Sequence, residues 1–435
     1  MREYRITTMC LLLILAAIST AAAASPKDGW NFKMKDFVIC AWFGPDGNDA
    51  EVRVYKECGF NSVMVGRYMT AGGEYCQPDE VQRQLDLARK YKLKAFLDTY
   101  TRNHLPWGGI SVPYTGPGHH NATPPELEWI HKRFGKHPAL IGYMIGDDQG
   151  AITDQTGKNT DFLHKNAPHL IPWICGWVPA DDLARHGNPI IDPQMYPTLN
   201  NSNPADIQAR NYTSGLQNLR QQCRKYDLIS WPMFNIVGVK ADSMIRYQVY
   251  SSLAYGAQGI WYFCYRDNTG EFPGDAGRAF NSVLEGQKGA VTYKAVKEEL
   301  RPTYYDAQEC NRRVKTWGPK LLGCTAAGIY HTGWKQDGED VFIPGYGKTV
   351  IKMSDNLLLG ILTKPNAKPL AMVVDKRVSK ERDAFAPREI EITFTGNVSR
   401  IAILEGKQTL QVKGNIVKLT LPAGGGQLLE LGMTD

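Results

Sequence analysis

From Phe37 onward, short apolar runs alternate with segments of helical periodicity, and this alternation restricts the chain to βα units around a parallel sheet. Eight runs qualify: FVICAWF from Phe37, NSVMVGRY from Asn61, AFLDTY from Ala95, ALIGYMI from Ala139, LIPWICGWV from Leu170, PIIDPQMY from Pro189, LISWPMFNIV from Leu228 and GIWYFCYR from Gly259. Most are close to continuously apolar, as strands covered on both faces are. Eight is the number that closes a parallel barrel. Helix starts punctuate the runs. Pro78-Asp79-Glu80 opens a segment with Val81, Leu85 and Ala88 on one stripe, and Thr123-Pro124-Pro125-Glu126 opens another before Leu127 and Ile130. The fifth unit is short, because only Ala180 to Gly187 separates runs five and six.

After the eighth run a polar helical region leads through Gly318-Pro319 to Leu322, and the pattern then changes. LLLGILT from Leu357, LAMVVD from Leu370, EIEITFTG from Glu389, RIAILEG from Arg400 and IVKLTLP from Ile416 read as strands separated by turn residues. The expected fold is therefore an α/β chain: a (β/α)8 TIM barrel over residues 25–322, followed by a C-terminal antiparallel β-sandwich over 323–435.

The first 24 residues stand apart. Arg2 and Arg5 precede an apolar core from Cys10 to Ile18, and small residues Ala21 to Ala24 follow, the order of an export signal peptide. The apolar core is short for a membrane span, so the mature protein is expected to be secreted or periplasmic, without a membrane partner after removal of the signal. The net charge of +6 is scattered and forms no basic block, which argues against a nucleic-acid partner. Oligomeric state is not legible. Eight cysteines lie beyond Cys10, at Cys40, Cys58, Cys76, Cys175, Cys223, Cys264, Cys310 and Cys324; an oxidising compartment permits disulfides, and nothing in the spacing assigns them. No CxxC or His-rich spacing marks a metal site, and no cofactor motif is present.

In a parallel α/β fold ligands gather at the C-terminal ends of the strands, so the residues there are the candidate site. The most pointed of these ends is HPALIGYMIGDDQG from His137, where the apolar run stops at two adjacent carboxylates, Asp147 and Asp148. The other ends deliver Trp42, Arg67, Asp98, Tyr100, Trp177, Asp192, Tyr196, Asn235, Tyr265, Arg266 and Asp267, with Asp46, Tyr68 and Arg102 nearby. Aromatic faces stack on the C–H patches of pyranoses, and Asp, Asn and Arg bond hydroxyls directionally, so the expected partner is a carbohydrate. A barrel lumen is itself filled with side chains, and Arg67 or Arg266 could instead pair with Asp98 or Asp267.

Two stretches carry a resemblance. Gly142-Tyr143-Met144-Ile145-Gly146-Asp147-Asp148 resembles the fourth-strand signature of clan A glycoside hydrolases, in particular the β-galactosidase family with a G-W-x-x-x-N-E pattern. Gly256-Ala257-Gln258-Gly259-Ile260-Trp261-Tyr262-Phe263-Cys264-Tyr265-Arg266 is similar to the G-A-x-x-x-x-Y-F-x-W-R run of that family. The resemblance implies a sugar-binding residue at Asp147 and the acid/base at Asp148. The chain departs from it where the family carries its nucleophile: WPMFNIVGV from Trp231 holds no carboxylate. A retaining mechanism needs a second carboxylate about 5 Å away, and an inverting one needs it at about 6.5–9.5 Å.

Three readings remain. One is a hydrolase with Asp148 or Asp147 as the acid and its second carboxylate at Asp98, Asp192 or Asp267. Another is a catalytically inactive glycan-binding barrel that lost the strand-seven nucleophile. The third is a different reaction on the same scaffold. Asp148 is expected to be a buried carboxyl facing other acids, the setting that keeps a proton donor protonated.

Overall fold

The computed structural model describes residues 34–45, 47–66, 76–99, 110, 112, 121–197, 212–236, 239, 241–265, 302–334, 349–405 and 408–434. In its first part, strands and helices alternate as β1 (Val38–Ala41), α1 (Asp49–Glu57), β2 (Ser62–Val65), α2 (Pro78–Lys90), β3 (Lys94–Asp98), α3 (Pro124–Phe134), β4 (Leu140–Gly146), α4 (Asp154–Asn166), β5 (Ile171–Ile174) and α5 (Ala180–Arg185). They continue as β6 (Ile190–Ile191), β7 (Gln194–Met195), α6 (Tyr212–Tyr226), β8 (Ile229–Ser230), β9 (Met233–Asn235), α7 (Asp242–Ala254), β10 (Gly259–Phe263) and α8 (Pro302–Leu321). All eight apolar runs form strands. Runs six and seven are each split in two, at Asp192-Pro193 and Trp231-Pro232, because proline has no N–H for the ladder. The Pro193 and Pro232 carbonyls still accept, from Met233 (3.2 Å) and Trp261 (3.2 Å), so pairing resumes at once.

The strands form two four-stranded parallel sheets, β2-β3-β4-β5 and β1-β10-β9-β7, and a short parallel pair, β6-β8. Hydrogen bonds run between these units. The Asn61 N–H donates to the Ile39 carbonyl (3.2 Å), and the Ile39 N–H to the Asn61 side-chain oxygen (2.8 Å), which ties β1 to the start of β2. On the other side Cys175 bridges Asp192 in parallel, and the Gly176 N–H donates to the Asp192 carbonyl (3.0 Å). The inner faces meet through aromatic rings: Phe96 touches Trp173, Trp231 and Trp261 at 5.5–5.6 Å, and Trp173 stacks on Trp261 at 4.2 Å. Each such ring buries about 150–250 Å², a transfer term of roughly 4–6 kcal/mol.

The expected helix starts are present. The Glu80 carboxylate accepts from the Gln77 N–H (3.0 Å), and the Glu126 carboxylate from the Thr123 N–H (2.7 Å), each closing the first turn with prolines in place. The short fifth unit is a helix of six residues, α5.

From residue 325 the chain is antiparallel: β11 (Thr325–His331), β12 (Val350–Met353), β13 (Leu357–Thr363), β14 (Leu370–Asp375), β15 (Arg388–Phe394), β16 (Val398–Glu405), β17 (Gln408–Lys413), β18 (Ile416–Leu421) and β19 (Gly426–Met433). They form a six-stranded sheet, β11-β13-β14-β19-β16-β17, and a three-stranded sheet, β12-β15-β18. One face of the larger sheet shares an apolar cluster with the smaller: Leu359, Ile361 and Val373 lie with Ile390, Phe394 and Leu419. Its opposite face, with Leu358, Leu362, Met372 and Val374, belongs to the core of the parallel region. That explains why β13 and β14 read as continuous apolar runs in an antiparallel sheet.

The two regions are tightly joined. Helix α7 is buried on nearly every side, and a methyl group at Gly360 or Gly424 would collide with its Ala254 or Ser243 carbonyl oxygen. The Trp317 indole donates to the Leu404 carbonyl (2.9 Å), and the Arg382 guanidinium grips both oxygens of Asp306 (2.8 and 2.6 Å). All eight cysteines from Cys40 to Cys324 are free thiols. Among the described residues no helix is long and apolar enough to cross a membrane.

Candidate functional site

The acids that follow β4 sit in a turn. After Gly146 the chain leaves the strand, and Asp148 adopts a left-handed backbone (φ +52°), a conformation aspartate tolerates better than most residues. The turn folds back on the end of β5: the Gln149 N–H donates to the Cys175 carbonyl (3.2 Å), and the Gln149 side chain to the Asp147 carbonyl (3.0 Å). It rests against Gly176 (φ +132°), where a Cβ would lie 2.5 Å from the Gln149 carbonyl oxygen. Only glycine permits both that backbone and that approach.

Asp192 enters from the break between β6 and β7 and is 1% exposed. The Trp173 indole N–H donates to its Oδ2 (2.7 Å), while its Oδ1 has no hydrogen-bond partner among the described residues. Burial holds the Asp192 carboxyl well above the usual carboxylate range, and the charge of Asp147 adds to this; the Trp173 bond and the adjacent Cys175 thiol pull the other way. Burial likewise pushes the Cys175 thiol up, helped by Asp192, Asp147 and Asp148. Gln194 ties the cluster together, its amide donating to Asp148 Oδ1 (2.5 Å) and to Cys175 Sγ (3.4 Å). The Tyr196 hydroxyl, also raised by burial, donates to Met233 Sδ (3.2 Å). Its ring faces Phe263 at 4.8 Å, and Phe43 and Trp42 continue the aromatic series. Three carboxyls and a neutral thiol thus lie together at the ends of β4 to β7, with an aromatic wall alongside.

The structure brings Asp147, Asp148, Asp192 and Tyr196 into one place, with Trp42 edge-on to Trp173 at 5.7 Å. It corrects one expectation of them. Asp148 is exposed rather than buried, because its left-handed turn carries it off the strand and out of strand alternation. The buried carboxyl is Asp192. Trp177 is 56% exposed just beyond β5, while Asp98 and Asn235 are fully buried at the ends of β3 and β9. Tyr265 is buried at the end of strand run eight, its ring packed on Tyr55 (4.9 Å) and Phe60 (6.2 Å). Arg67, Tyr100, Arg266 and Asp267, like Asp46, Tyr68 and Arg102, lie outside the described residues.

Sequence reasoning passed over Trp173, Cys175 and Gln194. A signal was available: Asp192, Gln194 and Tyr196 are spaced by two, as are Trp173, Cys175 and Trp177, and alternate strand residues share a face. Among the described residues no group of three or more His, Cys, Asp or Glu side chains is placed to hold a metal ion.

No protein-family model matches the sequence, and no curated protein matches it. Among solved structures the chain is similar to an α-galactosidase I from Mortierella vinacea, at 12% identity and a TM-score of 0.49 over 95% of this chain and 98% of that one. It is similar to a GH27 β-L-arabinopyranosidase from Geobacillus stearothermophilus, at 8% identity and a TM-score of 0.49 over 95% and 98% of the two chains. An endo-β-1,4-mannanase from Thermotoga petrophila matches at 10% identity and a TM-score of 0.44 over 93% and 96%.

Proposed function

We propose that this chain is an exported glycan-acting protein of the glycoside-hydrolase kind, with a closed (β/α)8 barrel over 25–322 and a β-sandwich over 323–435. In this reading Asp192 donates the proton to the glycosidic oxygen, and the turn carboxylates Asp147 and Asp148 face the positive charge that develops on the sugar ring. Water completes the hydrolysis. The observation that supports it most is the unequal environment of neighbouring carboxyls: one buried and pushed well above the usual carboxylate range, the others on a turn that is partly open to solvent. Glycoside cleavage needs such a division between a proton donor and a charged partner. Half-buried Tyr196 and Phe263, backed by the buried rings of Trp42 and Phe43, and exposed Trp177 are the aromatic faces open to stacking on a sugar ring.

Asp192→Asn removes the proton and keeps the shape. It is expected to lower turnover of glycosides with poor leaving groups by at least about a hundredfold, and that of activated aryl glycosides by less. Asp148→Asn, at an exposed position, is expected to cost less than Asp192→Asn; the reverse order returns the donor role to Asp148. The complete burial of Asp192 favours a second reading, a glycan-binding barrel without turnover, which measurable binding with no cleavage across a broad glycan panel would select. Export rests on the basic, apolar and small-residue order of residues 1–24. Mass spectrometry of protein from its native host is expected to find the mature N-terminus near Ser25, and a retained Met1 would defeat it.

A further inference from the structure

We propose that Trp173 is the positioning residue of the site: its indole N–H anchors one oxygen of the Asp192 carboxyl and so leaves the proton on the other. The proposal rests on the reading of Asp192 as the proton donor, but its geometry stands apart from any substrate. A carboxyl with both oxygens free can rotate and present either one. Here Oδ2 is committed to the indole at 2.7 Å, and Oδ1 has no hydrogen-bond partner among the described residues. A protonated carboxyl in this place accepts the indole N–H on its carbonyl oxygen and keeps its hydroxyl on Oδ1.

The donor itself cannot swing away. The Trp173 ring is stacked on Trp261 at 4.2 Å and meets Trp42 and Phe96 edge-on at 5.7 and 5.6 Å. Rings from β3 and β10, and Trp42 just after β1, therefore hold the indole, and through it the acid. Packing alone would be satisfied by a phenyl group; the N–H is the part whose role the packing does not explain. Titratable groups around the acid are Asp147 from the turn after β4, Cys175 at the end of β5, Cys40 in β1 and Tyr196 beyond β7. An N–H donor favours the carboxylate form and opposes burial and Asp147, so it also moderates how tightly the proton is held.

The test uses the intact protein and infrared spectroscopy of the protonated carboxyl, whose C=O stretch is identified as the band lost in Asp192→Asn. In Trp173→Phe the band is expected to move to higher wavenumber, because the carbonyl loses its donor, and any titration midpoint to move upward. A variant with 3-benzothienylalanine at 173 keeps the bicyclic ring and lacks the N–H, and it gives the same result where Phe disturbs the fold. If turnover is measurable, the alkaline limb of kcat/KM moves up with the midpoint. An unmoved band in a folded variant that lacks the N–H overturns the proposal, even where kcat falls, since that outcome is structural loss alone. A moved band in a protein without turnover upholds the anchor and counts only against the hydrolase reading.

Discussion

Asp192 in the parallel region and Asp375 at the end of β14 in the antiparallel region are both aspartates with at most 1% exposure, yet their surroundings differ in kind. Two guanidiniums surround Asp375. Arg377 donates to it from Nε (2.9 Å to Oδ2) and from its backbone N–H (3.0 Å to Oδ1), and Arg388 donates to both oxygens at 3.0 Å. Asp192 has only a neutral indole and a neutral thiol, Trp173 and Cys175, to set against its burial and the charge of Asp147. Burying a charge is costly unless it is paired, so the first carboxylate is matched by opposite charge, while burial pushes the second well above the usual carboxylate range. Burial alone does not decide the electrostatics of a carboxyl; the neighbours do. The antiparallel region satisfies its buried acid and thereby fixes the loop after β14, while in the parallel region one oxygen of the acid has no hydrogen-bond partner among the described residues.

The contrast can be broken in order of size. Asp375→Asn leaves two guanidiniums without their counter-charge and is expected to cost about 3–5 kcal/mol of stability by chemical denaturation, with the infrared signature of Asp192 unchanged in the folded fraction. A loss below about 1 kcal/mol would place Asp375 among weak surface pairs instead. The smaller effect concerns Asp192 and pH. Its folded pKa is raised above the unfolded value of about 3.9, so its contribution to stability is fully present below that value and is lost as pH rises through the folded one. Each pH unit within that window removes at most about 1.4 kcal/mol. Denaturation midpoints measured between about pH 4 and 8 are expected to fall more steeply for the wild type than for Asp192→Asn. Parallel curves for the two proteins would mean that Asp192 titrates alike in the folded and unfolded chain.

Local patterns in the chain determined most of the element order. Hydrophobic periodicity and capping residues act within a few positions, so all eight apolar runs, the helix starts at Pro78 and Thr123-Pro124, and the short helix after Pro179 were legible one segment at a time. Four strands of the antiparallel part escaped, β11, β12, β17 and β19: β12 is four residues long, β17 is exposed or half-exposed throughout, and β11 and β19 show their place only through the strands they pair with. Only tertiary structure decided which strand-end residues came together and which of them were buried. Asp147, Asp148 and Asp192 are chemically alike in the sequence, and their difference comes from a left-handed turn at Asp148, a glycine at 176 that admits that turn, and an indole from the neighbouring strand. Desolvation and charge coupling depend on distances between segments remote in the chain, so no reading of one stretch could assign the proton. The same holds for Tyr265, which ends a strand like the site residues but meets Tyr55 and Phe60 only because α1 and its following turn pack beside it.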